Sequence, residues 1–176
     1  GCEKVDSDCR ACYMYRDSFD GKRYNPREIR RTKTVFNFPL KYKETKSKVW
    51  SGNPLIFTSS LTDVFHEAID GFRNEMWDII RKCPHLIFQI LTKRPERIAD
   101  HLPDYWEEIK DRVWLGTSIG SEKGIHMALE LIKLRRTAPT LFLSLEPLHG
   151  ELSLRWKYIP SAEDQRAIQD VRMEEG

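Results

Sequence analysis

"LIFQILT", residues 86–92, decides the fold. It is a short, unbroken apolar run and does not alternate with polar residues, the pattern of a parallel strand covered on both faces. Three more runs match it: "LIFTS" (55–59), "VWLGT" (113–117) and "TLFLSL" (140–145). Between them the spacing predicts helices. Residues 70–83 line up Phe72, Met76, Ile79, Ile80 and Cys83, and residues 123–136 line up Ile125, Ala128, Leu129 and Ile132 before a basic C-terminal turn. Shorter helices are expected from Pro95 and over 104–111. Strand and helix alternate, so the expected class is α/β with a parallel sheet. Four strands cannot close a barrel, which leaves an open sheet or a partial (β/α) barrel.

The chain is 40% apolar, 32% charged and 11% aromatic over 176 residues, enough for one domain with a real core. No apolar run is long enough to span a bilayer, so the expectation is a cytoplasmic protein with no membrane partner. One domain is expected over 1–160, with a helical tail over 161–176. The cysteine loop begins at residue 2 with no strand before it, and the tail has little to bury. Both ends therefore fit a chain truncated at both ends, or one lacking segments.

Charge is unevenly spread. Residues 22–48 hold ten Lys or Arg against Glu28 and Glu44, an excess of +8 in a chain of net charge +2. Tyr24, Phe36, Phe38 and Tyr42 are interleaved there. Such a segment suits DNA or RNA through phosphate contacts and stacking, and equally suits a solvated surface.

In parallel α/β folds ligands collect where strands end. Here those junctions carry Ser59, Ser60, Thr62, Asp63, His66 and Glu67; Thr92, Lys93, Arg94 and Glu96; Thr117, Ser118, Ser121 and Glu122; and Ser144, Glu146 and His149. Each alone reads as a helix cap or surface residue. Together they predict a polar rim. Glu146 leaves an apolar strand in "FLSLEPLHG" and suits a ligand amine, hydroxyl or cation, or an ion pair with Lys93 or Arg94.

"GCEKVDSDCRACY" (1–13) places Cys2, Cys9 and Cys12 in a C-x6-C-x2-C pattern. Thiolates at this spacing bind zinc or an iron–sulfur cluster. Zinc would need a fourth ligand, with His66, His149 or Cys83 available. A four-iron cluster on three thiolates leaves one iron open to a cofactor. The spacing leaves both open. Cys83 reads as a small core residue.

The blocks "GCEKVDSDCRACYMYR", "RRTKTVFNFPLKYKE", "FTSSLTDVFHE", "QILTKRPERI", "VWLGTSIGSEKG" and "FLSLEPLHGELSL" occur in this order. Together they resemble a phage-associated three-Cys-motif family of unassigned function. The resemblance runs to about residue 155, and the tail after Trp156 departs from it. That family is similar to radical S-adenosylmethionine enzymes, spore photoproduct lyase in particular. The resemblance implies a partial (β/α) barrel and a 4Fe-4S cluster on Cys2, Cys9 and Cys12. It also implies S-adenosylmethionine bound near Tyr13, Ser59, Lys93, Ser118 and Glu146, and an electron donor protein. Lys93 would pair with the cofactor carboxylate, and Tyr13, Tyr15 and Cys83 are candidate hydrogen donors. The usual superfamily loop is C-x3-C-x2-C, so the first gap here is longer. The competing expectation is a nucleic-acid-binding module with structural zinc.

Overall fold

The computed structural model describes residues 2–7, 9, 12, 15, 28–29, 31–42, 53–59, 62–149 and 152. Tyr13, Tyr24, Ser60 and the expected tail over 161–176 lie outside the described residues. Four strands, β1 (Leu55–Thr58), β2 (Ile87–Thr92), β3 (Val113–Ser118) and β4 (Thr140–Ser144), form one sheet in the order β1-β2-β3-β4, and every pair is parallel. The α/β parallel sheet expected from the apolar runs is the one observed. The helices are α1 (Lys33–Phe36), α2 (Phe38–Lys41), α3 (Asp70–Lys82), α4 (Trp106–Ile109) and α5 (Ile125–Ile132), with short 3-10 turns between them. The segment from Pro95 forms two 3-10 turns, Pro95–Arg97 and Ala99–His101.

Strands that follow one another across a parallel sheet keep their crossovers on one face. The register puts Ile56, Phe88, Ile90, Val113, Leu115 and Leu141 on a common face. These residues join Trp77, Ile80, Trp106, Ile109, Leu131 and Leu134 in one apolar core. The helices therefore pack on this side, the arrangement of a (β/α) barrel arc. Trp77 is fully buried. Its indole donates to the His101 carbonyl at 2.9 Å and meets Trp106 edge to face at 5.9 Å. A buried Trp is favourable only when its N–H is satisfied in this way.

The other face differs from the expectation of strands covered on both sides. Among the described residues, Leu55 and Phe57 on that face are 39% and 51% exposed. Its centre is closed by one aromatic ring. A Cβ at position 116 would overlap the Phe142 ring, so only glycine lets that ring pack directly against β3.

Both long helices pack on a stripe slightly rotated from the expected one. In α3 the buried set is Arg73, Met76, Trp77, Ile79 and Ile80, with Phe72 half-buried at its edge. In α5 it is Met127 and Leu131, continued by Leu134, while Ile125, Ala128, Leu129 and Ile132 are half-buried. A 3-10 turn, Glu122–Gly124, leads into α5 with Gly124 against Ile119, and this sets the rotation of the helix.

Candidate metal centre at the strand ends

The polar rim is organised by one carboxylate. Asp63 follows β1 and is buried. It accepts from the Phe65 N–H at 3.0 Å, the Thr92 hydroxyl at 2.6 Å, the Lys93 N–H at 3.1 Å and Arg94 Nη1 at 2.9 Å. A buried carboxylate persists only when its lone pairs are met by donors, at least one of them charged. Thr92 passes the link on. Its hydroxyl accepts from the Arg94 N–H at 2.9 Å, and its carbonyl accepts from the Thr117 hydroxyl at 2.8 Å. The ends of β1, β2 and β3 are thus tied together by side chains.

The loop carrying Asp63 is held from beneath by Arg73. This buried guanidinium donates to the Val64 carbonyl at 2.8 Å and the His66 carbonyl at 3.2 Å, and pairs with Asp70. Arg73 and Asp6 were both absent from the sequence-derived candidates. Arg73 stands in register with Trp77 and Ile80 on the buried stripe of α3, where periodicity alone leads one to expect an apolar residue. Asp6 stands between Cys2 and Cys9, an acid inside the metal-ligand spacing.

The cysteine loop docks on this rim. Lys93 Nζ lies 3.0 Å from Asp6 Oδ2, and Glu3 Oε2 lies 3.2 Å from His66 Nε2. Asp6 Oδ1 accepts from the Cys9 N–H at 3.1 Å, and the Tyr15 hydroxyl donates to the Cys2 carbonyl. Burial alone would raise the Asp6 pKa. The Lys93 ammonium and the Cys9 contact outweigh it and hold Asp6 below its ordinary value.

All four cysteines are free thiols. Burial pushes Cys2 up to about 11, the Asp63 charge adds to this, Arg94 opposes it, and Cys9 and Cys12 raise it further. Burial raises Cys9 as well. The Cys2 thiol therefore lies within electrostatic reach of Cys9 and Cys12, which places the three sulfurs in one neighbourhood. Among the described residues no three His, Cys, Asp or Glu side chains form a grip for a single metal ion. The donor set, three free thiols on one short loop, is of the type that binds either zinc or an iron–sulfur cluster. Cys83 is buried in the core at the end of α3, as its sequence context suggests.

The other sequence-derived candidates are divided among the strand ends. Ser59 follows β1 with φ of 76°, a left-handed conformation sparsely used outside glycine, and its buried Oγ has no partner among the described residues. Ser118 ends β3, and its hydroxyl donates to the Glu146 carbonyl at 3.1 Å. The Glu146 side chain is exposed, and neither Lys93 nor Arg94 pairs with it, because Asp6 and Asp63 hold them. Tyr15 is spent on the Cys2 carbonyl. In the basic segment, Phe36 and Tyr42 pack against the core while Phe38 is 51% exposed. Arg31 pairs with Glu75 and covers the Phe36 ring. Of the described aromatics proposed for stacking, Phe38 is the one turned outward.

Among the described residues no helix is long and apolar enough to cross a membrane. A family model described as a protein of unknown function, DUF5131, matches residues 1–162. No curated protein and no solved structure matches the chain.

Proposed function

We propose that this chain, which belongs to the DUF5131 family, is a cytoplasmic iron–sulfur enzyme of the radical S-adenosylmethionine type acting on a nucleic acid or nucleotide. Cys2, Cys9 and Cys12 would hold a four-iron, four-sulfur cluster. The observation that carries this reading is the docking of a three-thiol loop on the C-terminal ends of β1 and β2 through Lys93 and Asp6. That end of a parallel sheet is where cofactors are bound in α/β enzymes. When bound, the cluster would supply one electron to cleave the sulfonium of S-adenosylmethionine.

The remaining chemistry belongs to the chain. Ser59, just past β1, offers a buried hydroxyl without a partner among the described residues. Lys93 carries three donors and gives one to Asp6, leaving two for a ligand carboxylate. Ser118 and the exposed Glu146 offer polar groups at the far edge of the rim. The half-exposed sheet face with Phe57 would meet the substrate, and Phe38 with the neighbouring cations would meet its phosphates. An electron donor protein completes the system.

The test is anaerobic reconstitution with iron and sulfide, followed by spectroscopy with and without S-adenosylmethionine. A cluster signal that changes on adding the cofactor, and that Cys9→Ala abolishes, is expected. Zinc without sulfide in chain purified without oxygen would replace this reading with a structural zinc site. DNA and RNA binding should weaken steeply as salt rises.

A further inference from the structure

The Asp6 carboxylate does two things at once. Oδ1 accepts from the Cys9 N–H at 3.1 Å, and Oδ2 accepts from Lys93 Nζ at 3.0 Å. Lys93 is itself placed by its own N–H, which donates to Asp63 Oδ2 at 3.1 Å. An unbroken line of contacts therefore runs from the β2 end through Asp63, Lys93 and Asp6 to Cys9. It continues within the loop, where the Cys12 N–H meets the Cys9 carbonyl at 3.4 Å and the Tyr15 N–H meets the Cys12 carbonyl at 3.0 Å.

The pair is well placed to matter. The Lys93 and Asp6 side chains are 19% and 15% exposed, so water screens them less than the second loop contact, in which Glu3 is 72% exposed. The loop also needs such a tie. Six residues separate Cys2 from Cys9, and a longer gap costs more entropy to close around a shared centre. A contact in the middle of that gap shortens the free segment on both sides.

We infer that Asp6 and Lys93 form a latch that positions Cys9, and through it Cys12, over the end of the sheet before any metal arrives. They are positioning residues, acting through the cysteines. The inference deepens the iron–sulfur reading and rests on it for the identity of the bound centre, but the latch is made of contacts within the chain alone.

The experiment uses the full chain, metal-free and reduced, and follows the alkylation rate of each cysteine by mass spectrometry. Asp6→Asn keeps an acceptor for the Cys9 N–H, Lys93→Met keeps the apolar stem, and Glu3→Gln is the control. Cys83, 2% exposed in the core, reports whether the fold survives. Asp6→Asn and Lys93→Met should each speed Cys9 alkylation by about tenfold with Cys83 unchanged, as expected for local opening. The double variant should be no faster than either single, and Glu3→Gln should leave Cys9 slow. Lys93→Arg should keep Cys9 slow, and this decides the matter should Lys93→Met loosen Cys83 as well. Cys9 rates within twofold of the native chain, single effects that multiply in the double, or a fast Cys9 in Lys93→Arg would each overturn the latch. After reconstitution, iron and sulfide content should fall several-fold in both single variants. A native chain that binds no iron and sulfide, yet shows the expected alkylation pattern, overturns the cluster reading and leaves the latch standing.

Discussion

The Asp63 carboxylate lies 2.6 Å from the Thr92 hydroxyl, joining the loop after β1 to the last residue of β2 inside the protein. The same carboxylate neutralises Arg94, whose side chain is only 14% exposed. Removing it leaves a cation and three further donors without their acceptor. Asp63→Ala should therefore destabilise by about 3 kcal/mol, within the range for breaking a buried ion pair. Asp63→Ala combined with Arg94→Met should recover part of the loss, because the second change removes the stranded charge. Urea unfolding of the three variants measures both effects. A single-variant loss under about 1 kcal/mol would mean that water replaces the carboxylate.

Gly116 and Phe142 make a second pair that can be separated cleanly. A methyl at 116 would overlap the ring, so Gly116→Ala should cost about 1–2 kcal/mol as Phe142 swings off the sheet. Placed on Phe142→Ala, the same change should be neutral or stabilising, since alanine reduces the freedom of the unfolded chain. A thermodynamic cycle over the two positions measures the coupling, and equal effects of Gly116→Ala in both backgrounds would remove the ring from the argument.

The sheet was legible because parallel strands covered by helices leave continuous apolar runs: β1, β2 and β4 fall inside the runs quoted above, and β3 extends one residue past its run, to Ser118. The core stripe of α3 was nearly legible, with Met76, Ile79, Ile80 and Cys83 on it as expected. Arg73 was not, because a periodicity count assigns cations to the outside, although the side chain reaches two carbonyls and Asp70 from a buried position. The latch was hidden for a different reason. Asp6 and Lys93 are 87 residues apart, and only the folded chain brings the loop to the strand end. The partner of Lys93 within the chain is thus a residue of the cysteine loop and not Glu146.

Asp70 sets an acid limit on the helix side. Burial would raise its pKa, but Arg73 and Arg97 together outweigh this and hold it below the ordinary carboxylate value. A carboxylate with a depressed folded pKa adds stability that is fully present above its unfolded pKa and is lost as pH falls through the folded one. Native chain should therefore lose stability as pH drops below about 3.9, the ordinary aspartate value. Asp70→Asn should be less stable at neutral pH and show a shallower fall in that window. Because Asp70 is 47% exposed, solvent screening keeps the difference small. Chemical denaturation at pH 7 and pH 3 on both chains measures it, and parallel pH curves would exclude the contribution.

Cys2 sets the alkaline limit and the cost of metal loading. Its pKa, pushed up to about 11 by burial and by Asp63, leaves the thiol protonated throughout the neutral range. At pH 8 it should be alkylated at least about tenfold more slowly than a cysteine of the unfolded chain, because the thiolate is the nucleophile. A raised folded pKa also means that the folded chain holds the proton longer than the unfolded one. Metal-free stability should then decline as pH rises from the ordinary thiol value of 9.0 toward about 11. Metal must displace that proton, so loading should release protons and tighten as pH rises over the neutral range. Calorimetry of metal addition in buffers of different ionisation enthalpy counts the protons. A count of zero would show that the thiols are not the ligands, and with it the assignment of Cys2, Cys9 and Cys12 as a metal centre would be lost.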